Sequence, residues 1–223
     1  MSTSLSGSAS AAKRLLLPAS LVAAIGLAAL IAATHTAEDV AAESARLVQV
    51  LDLGPAASVA EIGAGAGQMT VAMAERLGPR GRMYSTELDR DRVRDIREAV
   101  ARAGLRNVTV LEAAERDTNL PVGCCDAIFM RRVYHDLTNP AAIDASLFLA
   151  LRPGGLAAII DFAPHGGVPS RGVPANRTGG HGVAARLIVE ELTRAGFEHL
   201  RTIDWTSGMF LALFRKSPAQ LSR

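Results

Sequence analysis

A glycine-rich turn behind a short apolar run is the feature of this sequence best suited to chemistry. The run Ser58–Ile62 contains Glu61 and leads directly into Gly63–Gly67, where every second residue is glycine. Glycines let the backbone approach a ligand without an intervening Cβ, and the N–H groups of the following helix can donate hydrogen bonds to that ligand. Dinucleotide sites use the spacing G-x-G-x-x-G, which would need a glycine at the position of Gln68. The shorter spacing found here argues against a pyrophosphate ligand.

A carboxylate stands at the end of the next predicted strand, at Glu87. In a sheet of this kind a carboxylate at that position faces the ribose of a bound nucleoside and can accept hydrogen bonds from both hydroxyls. Asp89 competes for this role, but it precedes a helical pattern and is typical of a helix N-cap. Glu87 alone could be a surface acid, whereas Glu87 combined with the glycine-rich turn predicts a nucleoside site.

Polar side chains after the fourth and fifth predicted strands are the candidates for catalysis. Ligands of open α/β sheets bind beyond the carboxyl ends of the strands, where Tyr134, His135 and Asp161 are expected to lie. His135 could deprotonate a substrate near neutral pH, Tyr134 could line the pocket, and Asp161 is a second candidate. Alternatives stay open, because His135 could be a structural histidine bonded to the backbone and Asp161 could anchor a loop.

The longest predicted loop, Pro164–Gly182, is rich in glycine, proline and arginine. Loops of that length are usually functional or disordered. His165 and His181 bracket the loop and could belong to a lid over the site, although a plain surface position is the alternative for each.

The elements that must position these residues alternate between apolar runs and helical patterns. Strands are predicted at Ser58–Ile62, Arg82–Glu87, Val108–Glu112, Ala127–Met130, Leu156–Phe162, His199–Trp205 and Met209–Arg215. Helices are predicted at Ala37–Leu51, Gln68–Leu77, Asp89–Ala103, Ala141–Leu151 and Val183–Ala195. This alternation indicates parallel strands with right-handed crossovers and helices on both faces. A short glycine-containing link joins the last two strands, so one strand near the end must be reversed.

The first predicted helix is amphipathic. Val40, Leu47 and Leu51 share its apolar face, whereas Asp39 and Glu43 lie on its polar face. The helix is therefore expected to pack on the domain through the apolar face.

Composition narrows the class of protein. Hydrophobic residues make up 49% and aromatic residues only 4%, which suits an α/β protein better than an aromatic-rich β-sandwich. The net charge of +2 includes no basic block of the kind that binds nucleic acid, so no nucleic-acid partner is expected. A disulfide between the adjacent Cys124 and Cys125 would be strained in an extended strand. Two cysteines also fall far short of a metal site. We therefore expect both to act as small buried hydrophobic residues.

The N-terminal 36 residues are predicted to be a leader outside the domain formed by residues 37–223. Lys13 and Arg14 precede the apolar run Leu15–Ala33, which as a helix would span about 28 Å, close to the ~30 Å thickness of bilayer hydrocarbon. An uncleaved anchor, a cleaved signal peptide and a buried helix are the three interpretations, and the positive-inside rule would place the domain outside the cytoplasm. We expect a protein that is exported or anchored in the membrane. A domain on the cytoplasmic side of the membrane is the remaining alternative.

The motifs together resemble those of class I, Rossmann-like S-adenosylmethionine-dependent methyltransferases. Glu61–Gly67 followed by Tyr84–Glu87 resembles the first two motifs of that family. Later landmarks are similar at Leu120-Pro121, at Cys125–Met130 and at Leu151–Gly155. The resemblance runs from about Val40 to Lys216. It implies a doubly wound, seven-stranded, mostly parallel sheet whose last strand is antiparallel, here preceded by an N-terminal hydrophobic helix.

The resemblance also implies S-adenosylmethionine as the cofactor and assigns residues to it. Glu61, Gly63, Gly65 and Gly67 would hold the methionine part, and Glu87 the ribose. Many family members carry an acid soon after the third strand; here Ala113 and Ala114 stand there, which suggests an adenine contact through the backbone of Ala114. The cofactor site predicted on this basis is completed by Ala64, Leu88 and Met130.

The function expected from the sequence is methyl transfer to a small acceptor, because no substrate domain is inserted. Acceptor contacts would come from the helix before Gly54, the segment after Met130 and the loop Pro164–Gly182. A non-catalytic protein that binds S-adenosylmethionine at the membrane is the main alternative. A nicotinamide-dependent oxidoreductase is disfavoured by the glycine spacing.

Overall fold

The computed structural model describes residues 38–166, 180–206 and 208–217. The apolar run Leu15–Ala33, the boundary predicted at residue 36 and most of the predicted loop Pro164–Gly182 lie outside these ranges. Among the residues that are described, those from Val40 onward form one compact unit. Within those same ranges no helix is both long and apolar enough to cross a membrane.

Seven strands form one sheet in the order β3-β2-β1-β4-β5-β7-β6. Their bounds are β1 Ser58–Ile62, β2 Arg82–Glu87, β3 Val108–Glu112, β4 Cys125–Arg131, β5 Leu151–Phe162, β6 Phe197–Asp204 and β7 Met209–Lys216. The first three strands have the predicted bounds. The largest difference is in β5, which begins at Leu151 because that residue pairs with Cys125 across a register shift in the ladder.

Strand directions confirm the predicted topology. The β1 strand pairs in parallel with β2 and β4, β2 pairs in parallel with β3, and β4 pairs in parallel with β5. The β7 strand runs antiparallel to both β5 and β6. The sheet is therefore mostly parallel with a reversed last strand.

Helices cover both faces of the sheet, as expected for a doubly wound fold. Their bounds are α1 38–50, α2 Gln68–Leu77, α3 Arg90–Arg102, α4 Pro140–Ala150 and α5 Ala185–Arg194. Phe129 of β4 shares a buried cluster with Leu47 of α1 and Met73 of α2. The next residue back, Ile128, points to the other face and clusters with Leu147 of α4. Each such side chain contributes about 1.5–3 kcal/mol on burial, so the two layers stabilise the sheet from both sides.

The burial of Glu43 corrects the description of α1 as having that residue on a polar face. Glu43 is only 3% exposed, and its carboxylate accepts hydrogen bonds from Arg131 Nε and Trp205 Nε1, both at 2.7 Å. A buried carboxylate is tolerated because both of its oxygens have donors. The pairing also fixes α1 to the carboxyl end of β4.

The two cysteines are joined by a disulfide, which corrects the expectation that adjacent cysteines here stay unbonded. That expectation assumed an extended strand, in which neighbouring side chains point to opposite faces. Cys124 instead lies in the turn before β4, where its N–H donates to Pro121 O. Cys125 is fully buried, as predicted, whereas Cys124 is only half-buried.

Candidate functional site

The glycine-rich turn connects β1 to α2 and is locked against the end of β2. The N–H groups of Gly63 and Ala64 donate to Thr86 O at 2.9 and 3.1 Å. Gly63 has φ +71° and Gly67 has φ +82°, a region that residues with a Cβ rarely adopt. A Cβ on Gly63 would lie 2.5 Å from Val133 Cγ2, so the turn and the segment after β4 are packed against each other.

Gly63→Ala is expected to destabilise the fold by about 2–4 kcal/mol, because it combines a left-handed φ with overpacking against Val133. Urea unfolding of the two single variants and of Gly63→Ala/Val133→Ala would form a double-mutant cycle. Removing the Val133 side chain should recover part of the loss. If the two losses simply add, the contact with Val133 is not the cause.

Glu61 is buried directly beneath the glycine-rich turn, with 3% of its surface exposed. Thr70 Oγ1 donates to Glu61 Oε2 at 2.5 Å, and Thr70 in turn lies 2.9 Å from Ser85 Oγ. Burial raises the pKa of Glu61 to about 8, although the Thr70 hydrogen bond and the charge of Arg131 act in the opposite direction. The site thus holds a carboxyl group that a cationic ligand group would ionise.

The carboxylate of Glu87 points at the glycine-rich turn. Its Oε2 accepts from Gly65 N at 2.8 Å, and its Oε1 accepts from Leu88 N at 2.8 Å. The competitor Asp89 instead accepts from Asp91 N and Arg92 N and caps α3, as predicted. Glu87, and not Asp89, is therefore the carboxylate at the end of β2 that lies beside the glycine-rich turn.

The remaining predicted cofactor residues lie at the same edge of the sheet but differ in exposure. Leu88 is 54% exposed, whereas Ala64 is 8% exposed. Ala114 is exposed in a tight turn closed by Asp117, and the preceding N–H of Ala113 donates to Glu87 O at 2.9 Å. Met130 pairs with Ile62 at the end of β4, and its side chain is fully buried in the core. The Met130 side chain therefore belongs to the core of the domain.

A histidine–aspartate pair lies where β4 and β5 end. Asp161 is fully buried, and its carboxylate accepts from the backbone N–H groups of His135 and Phe162 at 3.1 and 2.9 Å. The His135 ring nitrogen Nδ1 lies 2.9 Å from Asp161 Oδ1. An ionised carboxylate only accepts, so His135 Nδ1 carries a proton and Nε2 is left to exchange one.

Two opposing effects act on His135. Burial disfavours its charged form, but the hydrogen bond and negative charge of Asp161, together with the charge of Asp136, outweigh burial and raise the pKa of His135. The histidine is thus a better proton acceptor than its 5% exposure would suggest.

Two further histidines close over this pair. His165 N donates to His181 O at 3.0 Å, and the two rings stack with centroids 5.3 Å apart. His181 Nε2 lies 3.3 Å from His135 Nε2. The sequence analysis placed both histidines at the ends of a loop that could form a lid, but no local signal indicated that His181 contacts His135. Within the part of the chain that the structure describes, no three His, Cys, Asp or Glu side chains are arranged to hold a metal ion.

Tyr134 does not line the pocket, which corrects the role predicted for it. The side chain is fully buried, and its hydroxyl lies 3.0 Å from Asp144 Oδ2 and 2.9 Å from Glu191 Oε2. Burial and the two carboxylates raise the pKa of Tyr134 far above its ordinary value. Tyr134 therefore links α4 and α5 within the core, while the ring of its neighbour His135 turns towards Asp161.

Comparison with known proteins shows which domain family and which solved structures this chain resembles. Residues 59–155 match the family model described as a methyltransferase domain. An S-adenosylmethionine-dependent methyltransferase from Aquifex aeolicus is 24% identical and superposes with a TM-score of 0.67 over 78% of this chain and 89% of its own. The cyclase SpnF is 15% identical with a TM-score of 0.66 over 78% of this chain and 80% of its own. Geranyl diphosphate methyltransferase in complex with S-adenosylmethionine is 14% identical, with a TM-score of 0.63 over 79% of this chain and 85% of its own.

Proposed function

We propose that this chain is an S-adenosylmethionine-dependent methyltransferase, and that it methylates a small acceptor whose proton is taken up by the Asp161–His135 pair. The match of residues 59–155 to a methyltransferase-domain model and the shared fold support the first part. The observation that carries the proposal is a histidine held by a fully buried carboxylate, with both residues at the carboxyl edge of the sheet. Val133, two residues before His135, packs against the glycine-rich turn. The proton acceptor and the cofactor turn therefore share one edge.

The residues at the turn fit the cofactor. Glu61 would face its ammonium group, the backbone of Gly63–Gly67 would approach its methionine part, and Glu87 would accept hydrogen bonds from its ribose. Gly65 N–H occupies one oxygen of the Glu87 carboxylate, so the side chain is already directed at the turn. When bound, S-adenosylmethionine supplies a methyl group activated on a sulfonium.

The role of His135 follows from its hydrogen bonds. With Nδ1–H fixed by Asp161, the ring can gain a second proton at Nε2, and the resulting imidazolium lies between Asp161 and Asp136. Such a base suits an acceptor that must lose a proton from oxygen, nitrogen or sulfur on methylation. A small acceptor is supported by the short described connections, which contain no inserted domain.

The proposal is tested by incubating the protein with methyl-labelled S-adenosylmethionine and a panel of phenols, thiols and amines. Label transfer with equimolar formation of the demethylated cofactor supports it. Cofactor binding without transfer to any acceptor would favour a binding protein or a different reaction on the same fold, as the likeness to the cyclase SpnF allows.

Glu87→Ala is expected to weaken binding of S-adenosylmethionine by about 1–3 kcal/mol, because two buried hydrogen bonds to the ribose would be lost. Asp89→Ala is the matched control, since it removes the neighbouring carboxylate, which caps α3. The control should cost about 0.5–2 kcal/mol of stability and leave the affinity unchanged. Calorimetric titration of both variants distinguishes the two roles, and an unchanged affinity in Glu87→Ala would remove Glu87 from the site.

We also propose that residues 15–33 direct the chain to a membrane or out of the cytoplasm. The support is the apolar length of this run and the basic pair before it. Fractionation of cells expressing the full chain and a chain without residues 1–36 tests this. Identical distribution of the two in the soluble fraction of the cytoplasm would contradict the proposal.

A further inference from the structure

We propose that His181 takes the proton from the acceptor and passes it to His135, so that His181, His135 and Asp161 form a three-membered relay. This inference rests on the proposed function, because it concerns how the acceptor loses its proton. It gives a chemical role to a residue at the end of the predicted loop and moves the contact with the acceptor away from His135.

The order of the relay follows from burial. Asp161 is fully buried, His135 is 5% exposed, and His181 is half-buried. Both ring nitrogens of His135 are engaged, since Nδ1 faces Asp161 and Nε2 lies 3.3 Å from His181 Nε2 and 3.1 Å from Asp136 Oδ1. An acceptor molecule therefore meets His181 before it can meet His135.

Asp161, the buried member of the relay, fixes the tautomers of the two histidines. Asp161 keeps a proton on His135 Nδ1, so neutral His135 can only accept at Nε2. His181 Nε2 must then carry the proton in the contact between the two rings, which leaves His181 Nδ1 as a proton acceptor. The two histidines are thus held in opposite tautomers and aligned in one direction.

The backbone brings His181 to this position. The N–H of Val183 donates to Phe162 O at 3.0 Å, and the N–H of His165 donates to His181 O at the same distance. Gly182 between them has φ +106°, and a Cβ there would lie 2.8 Å from the Phe162 ring. Only glycine permits this close approach, and it places His181 over His135 with the Phe162 ring beside both.

The proton transfer balances. As the acceptor atom forms its bond to the methyl carbon and the carbon–sulfur bond breaks, the acceptor proton moves to His181 Nδ1. The proton on His181 Nε2 moves to His135 Nε2. The positive charge lost by the sulfonium is matched by the His135 imidazolium, which faces Asp161 and Asp136, with Arg132 as the opposing charge. Return of the proton to solvent through His181 restores both tautomers.

Nitrogen NMR of the ligand-free 223-residue chain, labelled at histidine, tests the relay without any acceptor. Wild type should show His135 protonated at Nδ1 and His181 protonated at Nε2. His181→Ala removes the proton donor to His135 Nε2, so the titration midpoint of His135 should rise.

His199→Gln is the control, because His199 is exposed on β6 and its ring forms a hydrogen bond with Thr202. This variant should leave the titration midpoint of His135 unchanged. The relay is overturned if the His181 ring is protonated at Nδ1. It is also overturned if the titration midpoint of His135 is the same in His181→Ala as in the wild type.

Chemical rescue supplies the second readout, with whichever acceptor of the panel the wild type methylates. His181→Ala should lower turnover by about 100-fold, the lower end of what a general base provides. Added imidazole should restore part of the loss in His181→Ala but not in His135→Ala, whose vacated site is closed to solvent. Unchanged turnover in His181→Ala overturns the relay. If the wild type methylates no acceptor, the proposed function fails, while the tautomers and midpoints still decide the relay.

Discussion

Asp161→Asn is expected to lower turnover by about 100- to 10,000-fold while binding of S-adenosylmethionine stays unchanged. The carboxylate of Asp161 accepts from His135 Nδ1 and from two backbone N–H groups. An amide keeps the size of the side chain but presents an NH2 group on one side. It would favour the His135 tautomer that has no proton on Nδ1, and it cannot stabilise the imidazolium by charge.

Two variants make this result specific. Asp136→Asn removes an exposed carboxylate that also faces His135 and should reduce turnover much less, because it does not set the tautomer. Asp161→Ala would strand buried donors and is expected to destabilise the fold as well, so it cannot replace Asn in the comparison. Wild-type turnover in Asp161→Asn would contradict the assignment. An equal loss of cofactor affinity would show that Asp161 only supports the fold.

Glu61→Gln is expected to stabilise the ligand-free protein at alkaline pH and to weaken cofactor binding. The folded-state pKa of Glu61 is raised by burial from 4.5 to about 8. Between these values the folded state holds a proton that the unfolded chain has lost, so the stability contributed by the protonated group falls as pH rises. The loss is about 1.4 kcal/mol per pH unit, or about 4 kcal/mol from pH 5 to pH 8. Glutamine, which does not titrate, removes that loss.

Denaturant unfolding at several pH values measures the effect. The stability of Glu61→Gln relative to wild type should increase steadily from pH 5 to pH 8 and then level off. Affinity for S-adenosylmethionine should fall in the same variant, because glutamine cannot offer a negative charge to the cofactor ammonium. Glu87→Gln is the control for this pH dependence, since Glu87 is only half-buried. A constant stability difference across the range would mean that Glu61 is ionised in the folded protein.

The fold could be predicted from the sequence because each strand, helix cap and turn is indicated by neighbouring residues. The bounds of β1 follow from an apolar run that ends at Gly63, and those of β2 and β3 from short runs that end at Glu87 and Glu112. Asp89 caps α3, as its position before a helical pattern indicates. The reversed strand β7 follows from a short link that only antiparallel strands can use.

The site was predictable only in part, because its contacts join distant segments. Tyr134 and His135 are neighbours in sequence, yet a short 3₁₀ turn directs one into the core and the other towards Asp161. Arg132, just before them, has φ +57°, a conformation that no local pattern predicts for arginine. Likewise the burial of Glu43 depends on Arg131 and Trp205, which lie far along the chain.

We infer above all that the glycine-rich turn, Glu61 and Glu87 hold S-adenosylmethionine. Calorimetric titration of the 223-residue chain with S-adenosylmethionine, its demethylated product and NAD is the decisive measurement. We expect that both sulfur compounds bind and that Glu87→Ala weakens the binding of both, while NAD binds far more weakly than either. Absence of binding by both sulfur compounds, or a preference for NAD, would contradict it.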